Sequence, residues 1–162
     1  MNHGESKEIK RNMRIMLWNI EGLKNATSTI AADFLEGYDA AIFTETFLTD
    51  QWQHSEYYSA HILAKQGERG RPQGGITVLL KPWMAPIIST TEQNHSLLIE
   101  TKYITILAAY FQPNETAIDI IDELGQQITQ SKTDKPLIIA GDFNCRLNIP
   151  NHITRRRMLF SC

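Results

Sequence analysis

The stretch PLIIAGDFNC, residues 136–145, carries an apolar run into a glycine and then breaks into an acid, an aromatic and an amide. Such a run has the length and composition of a fully buried strand, and buried strands of continuous apolar sequence belong to sheets covered on both faces. A Gly-Asp step also makes an ordinary turn, because Asp or Asn can bond its own main chain there. The trio Asp142, Phe143, Asn144 therefore gains meaning only from what stands at the ends of the other strands.

Upstream, MRIMLW (13–18) is a short apolar segment that ends in Asn19, Ile20 and Glu21, and YDAAIF (38–43) ends in Thr44 and Glu45. Between them NATSTIAADFLEG (25–37) sets Ile30, Ala31, Phe34 and Leu35 on one helical face, with Thr27 or Ser28 as N-cap and Gly37 suited to the C′ position. Strand, helix and strand within about thirty residues is the spacing of a βαβ unit. Residues 47–65 are irregular and aromatic, and GERGRPQGG (67–75) is a turn leading into the strand ITVLL (76–80). SLLIET (96–101) and KYITILAAYF (102–111) read as a hairpin, whose second strand delivers Tyr110 and then Gln112, Pro113 and Asn114. ETAIDIIDELGQQITQS (115–131) spaces Ile118, Ile121, Leu124 and Ile128 as a helix, with Gly125 its weak point.

The 162 residues, 42% hydrophobic, suffice for one domain, read as residues 13–162 behind a polar lead of residues 1–12. Sixteen basic against eighteen acidic side chains give a net charge of −2, so no global positive field holds a polyanion. Any such partner must meet a local basic patch or a bound metal. Cys145 and Cys162 form no CxxC or Cys/His cluster, which argues against zinc and against a disulfide framework and fits a reducing, intracellular setting. The N-terminus lacks the apolar region of a signal peptide, and no apolar run approaches the roughly 18 residues of a spanning helix.

In open α/β sheets ligands bind outside the carboxyl ends of the strands. If the four strand ends converge there, they assemble Glu21, Glu45 and Asp142 with the amides Asn19 and Asn144 and the phenol Tyr110. That set is rich in oxygen and free of cysteine, the ligand chemistry of Mg²⁺. Three carboxylates held together need a cation or raised pKa values to offset their repulsion. Each strand end taken singly reads as a turn or a solvated terminus; four of matching chemistry do not come from turn statistics.

The words LWNIEGL, FTET, AYFQP and IIAGDFN, spread from Leu17 to Asn144, resemble the endonuclease/exonuclease/phosphatase family. These are Mg²⁺-dependent phosphodiesterases that include abasic-site repair endonucleases and the nicking endonuclease domains of non-LTR retrotransposons. The resemblance implies an α/β fold, a four-layer sandwich of the DNase I-like type with two mixed sheets flanked by helices. It implies Glu45 as principal ligand of Mg²⁺, with Mn²⁺ as a substitute, and Asn19 and Glu21 beside it. Asp142 is expected to orient or deprotonate the attacking water, Asn144 to bond the scissile phosphate, and Tyr110 to donate to the oxygen on which charge grows. Phe143 is expected to pack as core. The reaction implied is in-line attack by water that leaves 3′-OH and 5′-phosphate ends, with DNA as partner, more shape reading than base reading, and a nuclear location for a retrotransposon product. GRPQGGITVLL (70–80) is similar to the Gly-rich lead into a strand in the retrotransposon branch, although a plain glycine turn suffices to explain it; Arg69, Arg71 and Lys81 nearby are candidate contacts to DNA phosphates.

The family pattern continues past GDFN to a further acid and an Asp-His pair, and these residues contain no Asp-His dipeptide. His152 follows Asn151 and reads as a surface loop residue, and Arg155 to Arg157 as a solvated helix face. The expectation is a chain truncated at its C-terminus, with the second sheet incomplete and hydrolysis impaired. Two further readings stand beside it: an inactive relic of the fold, and a phosphatase or phosphodiesterase that acts on a substrate other than DNA.

Overall fold

The computed structural model describes residues 12–26, 32–84, 86–131, 134–144 and 159–161. The polar lead up to residue 11, Thr27, Ser28, Ile30, Ala31, Cys145, His152, Arg155 to Arg157 and Cys162 lie outside them. One sheet holds β1 (Ile15–Asn19), β2 (Ala40–Thr44), β3 (Tyr58–Ile62) and β4 (Ile76–Leu80) in the order β1-β2-β4-β3. The other holds β5 (Ile87–Glu92), β6 (Ser96–Thr101), β7 (Thr105–Tyr110), β8 (Leu137–Asp142) and β9 (Leu159–Ser161) in chain order. Each sheet is mixed: β1 runs parallel to β2 and β7 parallel to β8, while the remaining pairs are antiparallel. Parallel neighbours need a crossover. The first is made through α1 (Leu23–Ala26) and α2 (Ala32–Leu35), the second through α3 (Ala117–Gln130).

Alternation along the strands builds the layers. Ile42, Val78 and Leu80 of the first sheet meet Leu97, Ile99, Ile106 and Ala108 of the second, which forms the central core. The next residues along, Ala41, Phe43 and Leu79, point outward onto Leu23 and Leu35 of the short helices and onto Leu48. On the far side Ala109, Phe111 and Phe143 lie under Ile120 of α3. Helix, sheet, sheet, helix is the expected four-layer sandwich. Strands β2, β4 and β7 are buried along their full length, as their apolar runs require, and burying one Phe or Ile side chain contributes about 1.5–3 kcal/mol.

Several expectations need correction. Gly37 does not adopt a left-handed conformation; the chain leaves α2 through a tight turn in which Tyr38 N–H donates to Leu35 C=O at 2.9 Å. β3 sits in the segment read as irregular, and β5 in one left unassigned, because both mix polar and apolar residues at sheet edges. The β6–β7 turn is held by the Thr101 hydroxyl, which accepts from the N–H groups of Tyr103 and Ile104. Only part of the expected α3 stripe faces the sheet: Leu124 packs against it, whereas Ile118 and Ile121 are 71% and 68% exposed, and Ile120 and Gln127 complete the docking face. The buried Gln127 amide donates to the carbonyls of Thr91 and Ser96, so a polar contact fixes a rotation that spacing alone would set differently.

Candidate active site

β1 and β2 are parallel with Asn19 opposite Thr44, and β7 and β8 are parallel with Tyr110 opposite Asp142. The C-terminal ends of all four strands therefore reach one rim of the sandwich. β4 runs the other way and starts there, since Ile76 lies opposite Thr44. The β3–β4 loop (63–75) and the β5–β6 turn (93–95) come to the same rim.

Two side-chain bonds join the sheets across this rim. Tyr110 O–H donates to Glu45 Oε1 at 2.9 Å, and Asn19 Nδ2 donates to Asp142 Oδ2 at 3.2 Å. Asp142 Oδ1 accepts from the Asn144 N–H at 3.1 Å, the local turn that a Gly-Asp step favours, and Asn144 Nδ2 donates to Phe111 C=O at 2.8 Å. Asp142 closes a turn with one oxygen and reaches the other sheet with the second, while Phe143, 6% exposed and stacked on Phe111, anchors the pair in the core. A Cβ at Gly141 would collide with the main chain of Ala109, so only glycine lets β8 lie this close to β7.

The main chain is strained at this rim. Among the described residues the non-glycine residues at positive φ are Glu21 (50°), Glu45 (53°), Phe47 (53°) and Asn144 (45°). Left-handed backbone costs roughly 1–2 kcal/mol per non-glycine residue, least for Asn, and persists only where the surroundings enforce it. Here they do. Gly22 N–H donates to Glu45 C=O, Leu23 N–H to Thr46 C=O, Thr46 N–H to Gly75 C=O and Phe47 N–H to Gly74 C=O. Gly75 itself has φ +92°, and a Cβ there would stand 2.5 Å from Thr46 Oγ1, so the glycine pair of GRPQGG serves this close approach.

Of the basic candidates, Arg69 is exposed on the β3–β4 loop. Arg71 is engaged by the fold: its Nη2 donates to Glu21 C=O at 2.7 Å and its guanidinium lies 4.3 Å over the Phe47 ring. Lys81 is excluded from the site, because it follows the C-terminal end of β4, opposite the rim, and its Nζ donates to Glu36 C=O.

The expected gathering of three carboxylates is also corrected. Among the described residues no three Asp, Glu, His or Cys side chains are grouped closely enough to hold one metal ion. Instead, the Tyr110 phenol donates to Glu45 and the Asn19 amide to Asp142, while Glu21 is exposed at the edge. The donors nonetheless suit a hard cation. Asn19 Oδ1 is buried without a hydrogen-bond partner next to the strand that ends in Glu45, and Mg²⁺ commonly takes one or two carboxylates and fills its remaining positions with water and phosphate. Sequence reading missed Phe47, which carried no signal beyond its place after Glu45, and Asn94 and His95, which arrive on the turn after the unassigned β5.

Comparison with solved structures gives the same fold. A variant of the 3′ phosphatase NExo from Neisseria bound to product DNA hairpin matches with TM-score 0.58 at 12% identity, over 82% of this chain and 58% of that one. The 3′-5′ exonuclease NExo from Neisseria meningitidis matches with TM-score 0.60 at 13% identity, over 83% and 59%. An AP endonuclease from Archaeoglobus fulgidus matches with TM-score 0.59 at 10% identity, over 81% and 57%. The chain thus spans somewhat under three fifths of the length of each. No curated protein sequence matches significantly. The profile of the Endonuclease/Exonuclease/phosphatase family matches residues 16–156, nearly the whole chain, and the chain belongs to that family.

Proposed function

We propose that the rim carries out metal-assisted hydrolysis of a phosphodiester in DNA, of the nicking type associated with retrotransposon reverse transcriptases. The observation that carries this reading is the pair of bonds across the sheets, Tyr110 to Glu45 and Asn19 to Asp142, which bring a phenol, two carboxylates and an amide to one edge from four separate strands. Glu45 with Asn19 Oδ1 would hold Mg²⁺ or Mn²⁺, with Glu21 at its margin. When bound, the ion supplies positive charge to a phosphoryl oxygen.

The remaining steps belong to the chain itself. Asp142 takes or orients the proton of the attacking water, and its bonds to Asn19 and to the Asn144 N–H hold it to one rotamer. Asn144 keeps one amide N–H on Phe111 C=O and has a second for the phosphate. Tyr110 releases Glu45 and donates to the oxygen on which charge develops. Arg69, on the exposed loop, meets the backbone phosphates, and the GRPQGG lead into β4 is the feature that favours DNA over other phosphate esters.

A nicking assay on supercoiled plasmid with Mg²⁺ tests the proposal. The expected result is conversion to open circles that is lost in Glu45→Ala and in Asp142→Ala. Equal nicking by all three proteins would remove these residues from the reaction.

A further inference from the structure

Two strained turns of the first sheet share one side chain that the reaction does not use. Glu21 (φ 50°) lies in the turn after β1, and Glu45 and Phe47 (both φ 53°) lie in the turn after β2. These turns present Asn19, Glu21 and Glu45, the residues proposed to hold the cation. Main-chain bonds fix part of the frame: Gly22 N–H on Glu45 C=O joins one turn to the other, and the carbonyls of Gly74 and Gly75 take the N–H groups of Phe47 and Thr46. None of these bonds engages the Glu21 carbonyl. It accepts from Arg71 Nη2 at 2.7 Å, and the same guanidinium lies 4.3 Å over the Phe47 ring. One side chain thus grips a left-handed residue in each turn.

Arg71 is delivered by a loop with bonds of its own. Lys65 and Gln73 pair their main chains at its base, at 3.0 and 3.1 Å, the Gln66 amide donates to the carbonyls of Gly67 and Gly70, and Pro72 fixes the backbone next to Arg71. A phosphate contact needs only a solvated side chain on the loop, which Arg69 supplies. Donating along its edge while stacking by its face is a role for a planar cation, one that lysine does not fill. We infer that Arg71 is a positioning residue for the cation site: it locks the turn after β1 against the turn after β2, so that Asn19 and Glu45 serve one ion. The inference rests on the proposed reaction for the ion, while the brace itself rests on contacts within the chain. Left-handed backbone persists only where its surroundings enforce it, so freeing Phe47 also frees Glu45, two residues before it. Charge alone predicts the opposite sign, because a guanidinium close to the site repels a cation and its removal should tighten binding.

Calorimetric titration of the full chain with Mn²⁺ reads that sign. Arg71→Ala is expected to weaken Mn²⁺ about tenfold, and Arg71→Lys, which keeps the charge and loses the planar face, about threefold. Unchanged or tighter binding in Arg71→Ala overturns the inference. A second readout needs no metal. In urea unfolding, Arg71→Ala should at least halve the coupling between Tyr110→Phe and Glu45→Ala, because a relaxed turn draws the Glu45 carboxylate away from the Tyr110 hydroxyl. A coupling that survives Arg71→Ala intact also counts against the brace and removes it. Fluorescence anisotropy of a labelled DNA duplex in EDTA, over a series of salt concentrations, tests the rival role. Loss of about one unit of salt slope in Arg71→Ala with Mn²⁺ affinity unchanged makes Arg71 a phosphate contact and rejects the positioning role. The two readings fail separately: a parent chain that binds no Mn²⁺, in which Arg71→Ala still halves the coupling, keeps the brace and loses the proposed cation. A parent that binds Mn²⁺ with an affinity indifferent to Arg71 keeps the cation and loses the brace.

Discussion

The bond from Tyr110 to Glu45 has a measurable stability of its own, and it tests the site geometry without any assumption about activity. Tyr110 is 9% exposed and its O–H donates to Glu45 Oε1 at 2.9 Å. Tyr110→Phe keeps the ring packed against the core and removes this one donor. Hydrogen bonds to charged groups contribute about 1.5–3 kcal/mol, and because Glu45 is only half-buried, water replaces part of the loss, so about 1.5 kcal/mol is expected. For a domain of this size roughly 2–4 °C of Tm accompanies each kcal/mol, so the melting point should fall by about 3–6 °C. Glu45→Ala carries additional losses, and the double variant separates them: with urea unfolding at constant m-value, the pair should show a coupling of about 1–1.5 kcal/mol. Coupling under about 0.3 kcal/mol would mean that the two side chains do not meet in solution, and the bridge between the sheets would fall with them.

The strained rim gives a second expectation: Glu21→Gly relieves a φ of 50° in an exposed side chain and should raise stability by up to about 1 kcal/mol in urea unfolding, offset in part by the entropy of a new glycine. Gly75→Ala should do the opposite, losing about 2–3 kcal/mol, because φ is +92° and the new methyl would press on Thr46 Oγ1 at 2.5 Å. Stability should also depend on pH through His61, whose Nδ1 lies 2.9 Å from Thr77 Oγ1 while its other nitrogen meets Trp52 C=O. Burial pushes its pKa below the ordinary 6.5, against smaller upward effects of the Trp52 carbonyl and Glu92, so the unfolded chain takes up this proton first. Stability is therefore full above pH 6.5 and declines as pH falls below it, a slope that thermal melts should show for the parent and lose in His61→Gln.

Most of the architecture is legible in the apolar runs, because a strand buried on both faces has little freedom in composition: LIIAG, AAIF and ILAAY each become strands near their expected bounds. What escaped was polar. β3 and β5 lie at sheet edges where one face meets solvent, so their sequences carry no continuous run, and α3 turns about its axis because Gln127 and Glu123 bond the β5–β6 region. The site was legible as a set of residue types at strand ends, since Asn19, Glu45, Tyr110 and Asp142 do meet. Its pairing was not, because the order in which a phenol and an amide separate two acids depends on how one sheet lies on the other. Left-handed backbone at Glu21, Glu45 and Phe47 has no counterpart in local preference either; the neighbouring hydrogen bonds enforce it.

The fold couples its core to its chemistry through this arrangement. Both bonds that assemble the rim cross between the two sheets, so their lengths follow the spacing of the layers, which is set by Ile42, Val78 and Leu80 against Leu97, Ile99 and Ile106. Close-packed layers of that kind do not deform smoothly. A rim built on one sheet would tolerate sliding between layers, whereas one that bridges two requires the whole sandwich to be in register before Tyr110 can reach Glu45. The main-chain strain at Glu45 fits the same reasoning, since relaxing it would withdraw its carboxylate from the Tyr110 hydroxyl that the second sheet presents. In this protein, side chains of ordinary composition are brought to one edge by interlayer packing, and the left-handed turns are the local cost of keeping them there.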